Sequence, residues 1–244
     1  MVLKRMKDIC VKIGSGATPR GGKEAYSDAG VSLIRSQNVL DFSFSFNGLA
    51  HINDEQAKKL SSLSNKHHLF ERRLKVYMIV SGLVCLYKEN RNLIERKRKD
   101  EPQFAIDHEF IWLTNNTYME AQSEAIVHPL EQPYHKDFLK KREELRRLAT
   151  EIRLIFKKPI NELYGKFVEC YEKTLFRMYQ YQIIIDKMMK ENEKNPMTAE
   201  ELQKFFPEKE HRIRMYDAME ELKVSYQALV DQKADEKITK YIRL

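Results

Sequence analysis

Residues 138–188 read FLKKREELRRLATEIRLIFKKPINELYGKFVECYEKTLFRMYQYQIIIDKM, and their spacing decides the architecture of the C-terminal half. Phe138, Leu145 and Ile152 recur at a seven-residue step, and Leu148 with Ile155 fills the complementary step. Together they make a heptad, coiled-coil-like seam on a charged helix. Lys141 interrupts that seam once. After Pro159 a second helix carries Tyr164, Tyr171, Met178 and Ile185 in one row and Phe167, Tyr181 and Met188 in another. Two helices joined by so short a link are expected to pack antiparallel as a hairpin. The aromatic and methionine-rich stripe of the second helix is wider than the first can cover. A partner protein or the tail of the chain is therefore expected to complete it.

Outward from the hairpin, Asn195-Pro196 ends the second helix, because the residue before proline is driven out of the α region. Thr198-Ala199-Glu200-Glu201 is a capping-box signature that starts another helix, and Pro207 splits the tail into two segments. Ile213, Tyr216, Met219, Leu222 and Leu229 are apolar positions able to cover the stripe. Arg212 and Arg214 flank Ile213. A helix-turn-helix or winged-helix reader closing on a short strand at Ile238–Arg243 would look like this, and so would a helical bundle with solvated charges.

On the N-terminal side the unusual stretch is Ile13–Asn38, IGSGATPRGGKEAYSDAGVSLIRSQN. Gly14, Gly16, Gly21 and Gly22 surround Thr18, Pro19 and Arg20, a composition suited to a loop that approaches a ligand closely. Val31–Asn38 begins as an apolar strand and ends on Arg35, Ser36, Gln37 and Asn38, side chains able to meet phosphates or base edges. A tight turn and a capped strand would use the same residues. Phe42, Phe44 and Phe46 alternate ahead of Asn47-Gly48, a hairpin turn pair. The period of two points them at a core, with base stacking as the other use of such a face. His51–Ser62 reads as a helix with Asn53 as N-cap, Asp54 and Glu55 in its first turn and Lys58 and Lys59 near its end.

These blocks, from Leu3 and Asp8-Ile9-Cys10 through Ile13–Gly22, Gly30, Leu33–Val39 and Gly48-Leu49-Ala50 to Ile52–Leu60, resemble in order and spacing the first half of a target-recognition domain. The family is the specificity subunit of type I restriction-modification systems. The resemblance covers about the first quarter of the chain. Ile126–Gln132, containing Pro129-Leu130-Glu131-Gln132, resembles the segment before the family's long spacer helix. The resemblance implies DNA-binding residues at Ser15, Thr18, Arg20, Lys23, Arg35, Ser36, Gln37 and Asn38. It also implies double-stranded DNA and a methyltransferase subunit as partners, with cleavage and methylation left to other subunits. Between these blocks the chain departs from the family. Ser61–Lys75 is polar and basic, Val76–Tyr87 reads as a buried strand pair or a core helix, and Phe104–Leu113 is a strand candidate. Arg91–Lys99 is basic, suiting solvated surface or phosphate contacts.

Composition agrees with a folded, polyanion-attracting protein. Among 244 residues, 42% are hydrophobic and 32% charged, with 43 Lys and Arg against 36 Asp and Glu, net +7. That is too apolar for disorder, and the positive field draws in nucleic acid. Cys10, Cys85 and Cys170 are far apart and lack zinc-site spacing, so reduced thiols and a cytoplasmic location are expected. The N-terminus lacks the apolar run of a signal peptide, and no run reaches the ~20 apolar residues of a membrane span. No histidine pair has i,i+4 spacing, and no phosphate-binding, nucleophile-elbow or methyltransferase motif is present, so no catalytic residue, metal or cofactor is expected. The expected fold is α+β, with a recognition region over 1–125 and a helical hairpin plus helical segment over 126–244. The expected function is a non-enzymatic DNA-binding specificity component. The alternative is a non-catalytic helical interaction protein with a degenerate recognition domain.

Overall fold

The computed structural model describes residues 22–40, 43–94 and 111–242. It is mostly helical, with one small antiparallel sheet near the N-terminus. The chain divides into two compact units, Met1–Phe70 and Glu71–Leu244. The 125/126 boundary expected from the sequence falls inside the second unit, in a short helix, α3 (Gln122–Val127).

In the first unit, strands β1 (Val31–Leu33) and β2 (Ala50–Ile52) pair antiparallel, with Ser32 opposite His51. Gly30 has a φ of +133°, and a Cβ there would stand 2.5 Å from the Ile52 carbonyl oxygen, so only glycine lets the two backbones meet at this edge. Helix α1 (Asp54–Ile94) begins after the expected N-cap Asn53, while His51 and Ile52, also expected in it, belong to β2. Asn53 caps it reciprocally: the Gln56 amide donates to Asn53 Oδ1 at 2.8 Å, and the Asn53 amide donates to Gln56 Oε1. It does not end near Ser62. No glycine or proline interrupts the chain until Gly82, so nothing stops it, and the Ser61–Lys75 stretch is helical throughout.

The alternating phenylalanines do not form a strand. Among the described residues an isolated bridge joins Val39 to Phe44, and the Leu40 and Ser43 backbones bond each other. Without a sheet face to bury against, Phe44 is 37% exposed and Phe46 76%, so the core placement expected for them is overturned. Phe42 lies outside the described residues.

In the second unit the apolar run 76–87 is a core helix, the latter of the two forms expected. Val76, Val80, Leu83 and Tyr87 fall at helical spacing and are all buried. Ile111–Leu113, expected as the end of a strand, belongs to a single helical turn, α2 (Ile111–Thr114). The rest of that strand candidate lies outside the described residues.

Helices α4 (Tyr134–Ile155) and α5 (Ile160–Lys194) make the expected hairpin. Every residue of the predicted seams is buried. Lys141 is accommodated with its ammonium over the Tyr118 ring, 4.1 Å from the centroid, while donating to the Tyr118 carbonyl at 2.7 Å. Between the helices, the Arg142 guanidinium lies on Phe176 and bonds Glu172, whose carboxylate also takes Arg146.

The wide stripe of α5 is covered by the chain itself. Helix α6 (Ala199–Phe205) starts on the expected Thr198–Glu201 capping box, and α7 (Glu208–Asp231) lies along α5. Met215, Tyr216, Met219, Leu222 and Leu229 are buried in that contact, whereas Ile213 stays 37% exposed. Thr174 Oγ1 donates to the Ala218 carbonyl at 3.1 Å, and Lys173 pairs with Glu221 at the rim. The described chain closes with α8 (Ala234–Ile238) and a 3-10 turn over Thr239–Tyr241, where a winged-helix reader would have a strand and a helical bundle would not. No winged-helix strand forms there. Arg212, a candidate reader, is 2% exposed and bonded to a fully buried Glu208.

Candidate functional site

The described part of the candidate recognition region centres on Asn38, at the end of a 3-10 turn, Ser36–Asn38. Its Oδ1 accepts from the Arg35 amide at 3.1 Å, and its Nδ2 donates to the carbonyls of Ser45 at 3.1 Å and Asn47 at 3.4 Å. The Ser45 amide returns a bond to the Asn38 carbonyl at 2.9 Å. Asn38 is 0% exposed. It fastens the loop at 43–48 to the turn and has no edge left for a base, so the contact role expected for it gives way to an internal one.

Arg35 reinforces the same junction. One guanidinium nitrogen donates to the Gly48 carbonyl, and the group lies over the Tyr26 ring, 5.1 Å from its centroid. Gly48 takes a φ of +66°, the left-handed conformation required for the Asn47-Gly48 turn. A Cβ there would press on Gln37 Nε2 at 3.3 Å. Arg35 is thus a positioning cation whose charge remains near the surface while its fork is partly committed inside.

Ser36 and Gln37 are exposed at the tip of the turn. Gln37 makes one long contact from Nε2 to the Gly48 carbonyl at 3.5 Å, so its amide edge is available. On the fastened loop Phe46 is exposed and packs edge-on against Phe44, with centroids 5.0 Å apart. Lys23 lies in a 3-10 turn, Gly22–Ala25. Ser15, Thr18 and Arg20 lie outside the described residues. The structure therefore brings together Arg35, Ser36, Gln37 and Asn38 in one turn, with the first three polar groups at or near the surface and the fourth beneath them.

No family model, curated protein or solved structure matches the chain.

The turn holds two carboxamides, one hydroxyl and the neighbouring guanidinium, and the loop fastened to it carries an exposed aromatic pair. Among the described residues no group of three or more His, Cys, Asp or Glu could hold a metal ion. None of the described helices is long and apolar enough to cross a membrane. Cys85 and Cys170 are both free thiols, the first exposed and the second buried, where burial pushes its pKa up.

Two features went unread in the sequence. Phe46 was placed inside because alternation was taken to mean strand, although the Asn47-Gly48 pair at its side already marked a tip. Lys58 was read only as a charge near a helix end and Lys66 was not singled out, although Gln56–Phe70 contains no acidic residue at all.

Proposed function

We propose that the chain is a sequence-specific DNA-recognition component of a restriction-modification system of type I. Residues 36–37 and Phe46 are its reading tip, Arg35 supplies positive charge beside it, and Lys23 is a further cation of the same unit. The observation that carries this is that buried Asn38 fastens the turn bearing exposed Ser36 and Gln37 to the loop bearing exposed Phe46. A glutamine edge makes the bidentate bond that distinguishes adenine in the major groove. An exposed phenylalanine stacks on or wedges beside a base. The resemblance of the first quarter of the chain to target-recognition domains supports the same function.

The methyltransferase partner that the resemblance implies is part of this proposal. With the α5 stripe covered by α7, that partner would have to use another surface. Catalysis is assigned to such partners, and recognition alone to this chain.

The test is fluorescence anisotropy of the full chain with labelled duplexes across a salt series. Each phosphate neutralised steepens the fall of log K with log salt by about 0.9. Affinity that stays level between about 50 and 200 mM salt would overturn the proposal. An interaction protein remains the second reading, and exposed Val31, Ile34, Val39 and Leu40 on the same unit favour it. It would show itself as association with protein that salt does not weaken.

A further inference from the structure

We propose that the first part of α1 is a second DNA contact, a phosphate-holding face built from Lys58, Ser61, Ser62, Asn65 and Lys66. It requires that the chain recognise DNA as set out above, and extends that function to a surface outside the turn. Lys58, Ser61, Ser62, Asn65, Lys66 and Leu69 follow one another at helical spacing along one side of α1 and line a shallow recess of about 430 Å³. All of them lie within the first unit.

Three observations single this face out from an ordinary solvated helix. First, the fifteen residues Gln56–Phe70 contain Lys58, Lys59 and Lys66 and no carboxylate. Several exposed helix cations elsewhere are matched on the surface, as in Lys140 with Asp137, Arg214 with Glu210 and Lys223 with Glu220. Lys59 is matched by Glu55 at 2.7 Å, but among the described residues no carboxylate lies within ion-pair distance of Lys58 or Lys66. The next cations along α1 are also engaged, Arg72 by Glu151 and Arg73 by the Ile155 carbonyl.

Second, residues 61–67 are exposed on every side. The hydroxyls of Ser61 and Ser62 and the amide of Asn65 therefore face solvent on this side of α1, where a ligand can meet them. Third, the spacing fits a polyanion: Lys58 and Lys66 are eight residues apart, about 12 Å along the axis. That is about the width of the major groove, so two ammonium groups can take separate phosphates with the hydroxyls and Asn65 between them. A point charge on a flexible stem suits a phosphate.

The experiment compares the salt dependence of duplex binding for the intact chain, for Lys58→Gln/Lys66→Gln, and for Lys187→Gln/Lys190→Gln. The last pair is also exposed and makes the same change in net charge on α5. Glutamine keeps helix propensity, and circular dichroism checks that helicity is unchanged. The expected result is a slope shallower by about 1.8 for the α1 pair, two contacts at 0.9 each, and an unchanged slope for the α5 pair. An unchanged slope in the α1 variant, or an equal loss in both, overturns this contact and leaves the recognition function standing. Absence of salt-dependent binding by the unaltered chain overturns both.

Discussion

Arg212→Met is expected to unfold the second unit far more readily than any surface charge removal on the same helix. Arg212 Nε meets Glu208 Oε1 at 2.8 Å, and the two side chains are 2% and 0% exposed. The same carboxylate accepts from the Tyr181 hydroxyl at 2.6 Å and, through Oε2, from Gln203 at 3.4 Å. Removing the guanidinium leaves a buried carboxylate without its counter-charge, which costs about 3–5 kcal/mol. With an m-value of about 2 kcal/mol per molar urea, the unfolding midpoint falls by about 2 M. Arg214 and Glu210 supply the control, since they share the helix and the i,i+4 spacing but are 49% and 58% exposed. Arg214→Met should cost no more than about 0.5 kcal/mol. The buried pair is costly to break and not intrinsically stabilising, so Glu208→Leu/Arg212→Met should be closer to the intact protein than either single change. Urea titration followed by circular dichroism compares the intact protein with each single variant and the double variant. Equal losses for Arg212→Met and Arg214→Met, or additive losses in the double variant, would refute the reasoning.

Asn38→Ala and Gln37→Ala should separate folding from recognition. The first deletes three bonds from a fully buried amide and should cost the first unit about 2 kcal/mol or more, seen as faster hydrogen exchange at Ser45. The second should leave exchange alone, relax base preference at one position of a randomised duplex and cost about 1–3 kcal/mol in binding. Lys23→Ala should weaken all duplexes alike. A pH effect is expected from His211, whose pKa is held below its ordinary 6.5 by burial and by Arg214 and Arg177, against the pull of Glu210. The unfolded chain then binds the proton more readily than the folded one, so stability is full above pH 6.5 and declines as pH falls below it. His211→Gln should flatten that decline in urea midpoints measured on either side. An unchanged decline would assign it to other groups.

The helical half was legible because its signals are local and periodic. Heptad rows at Phe138, Leu145 and Ile152, proline at 159 and 207 and the Thr198 capping box each act within a few residues, and each landed where the spacing put it. Which surface covers α5 was open, since apolar positions on the tail and on a partner look alike until their packing is seen. The length of α1 was misjudged because polar Ser61–Lys75 lacks a hydrophobic period, and absence of a breaker is a weaker signal than presence of one. The turn at Ser36–Asn38 was legible in composition but not in role. Four polar side chains in a row share one chemistry on paper, and only the fold decides that Asn38 points inward while Gln37 does not.

The cover over α5 carries a consequence for how the chain is made. A ribosome delivers Ile160–Lys194 before it delivers Glu208–Asp231, so Tyr171, Met178 and Tyr181 emerge without the helix that later shields them. Until α7 follows, the newborn hairpin displays a sticky aromatic and methionine surface. A premature stop between 195 and 207 would make that condition permanent. Such a shortened product would be a chaperone client and an aggregate in waiting, although every residue of the hairpin itself is intact.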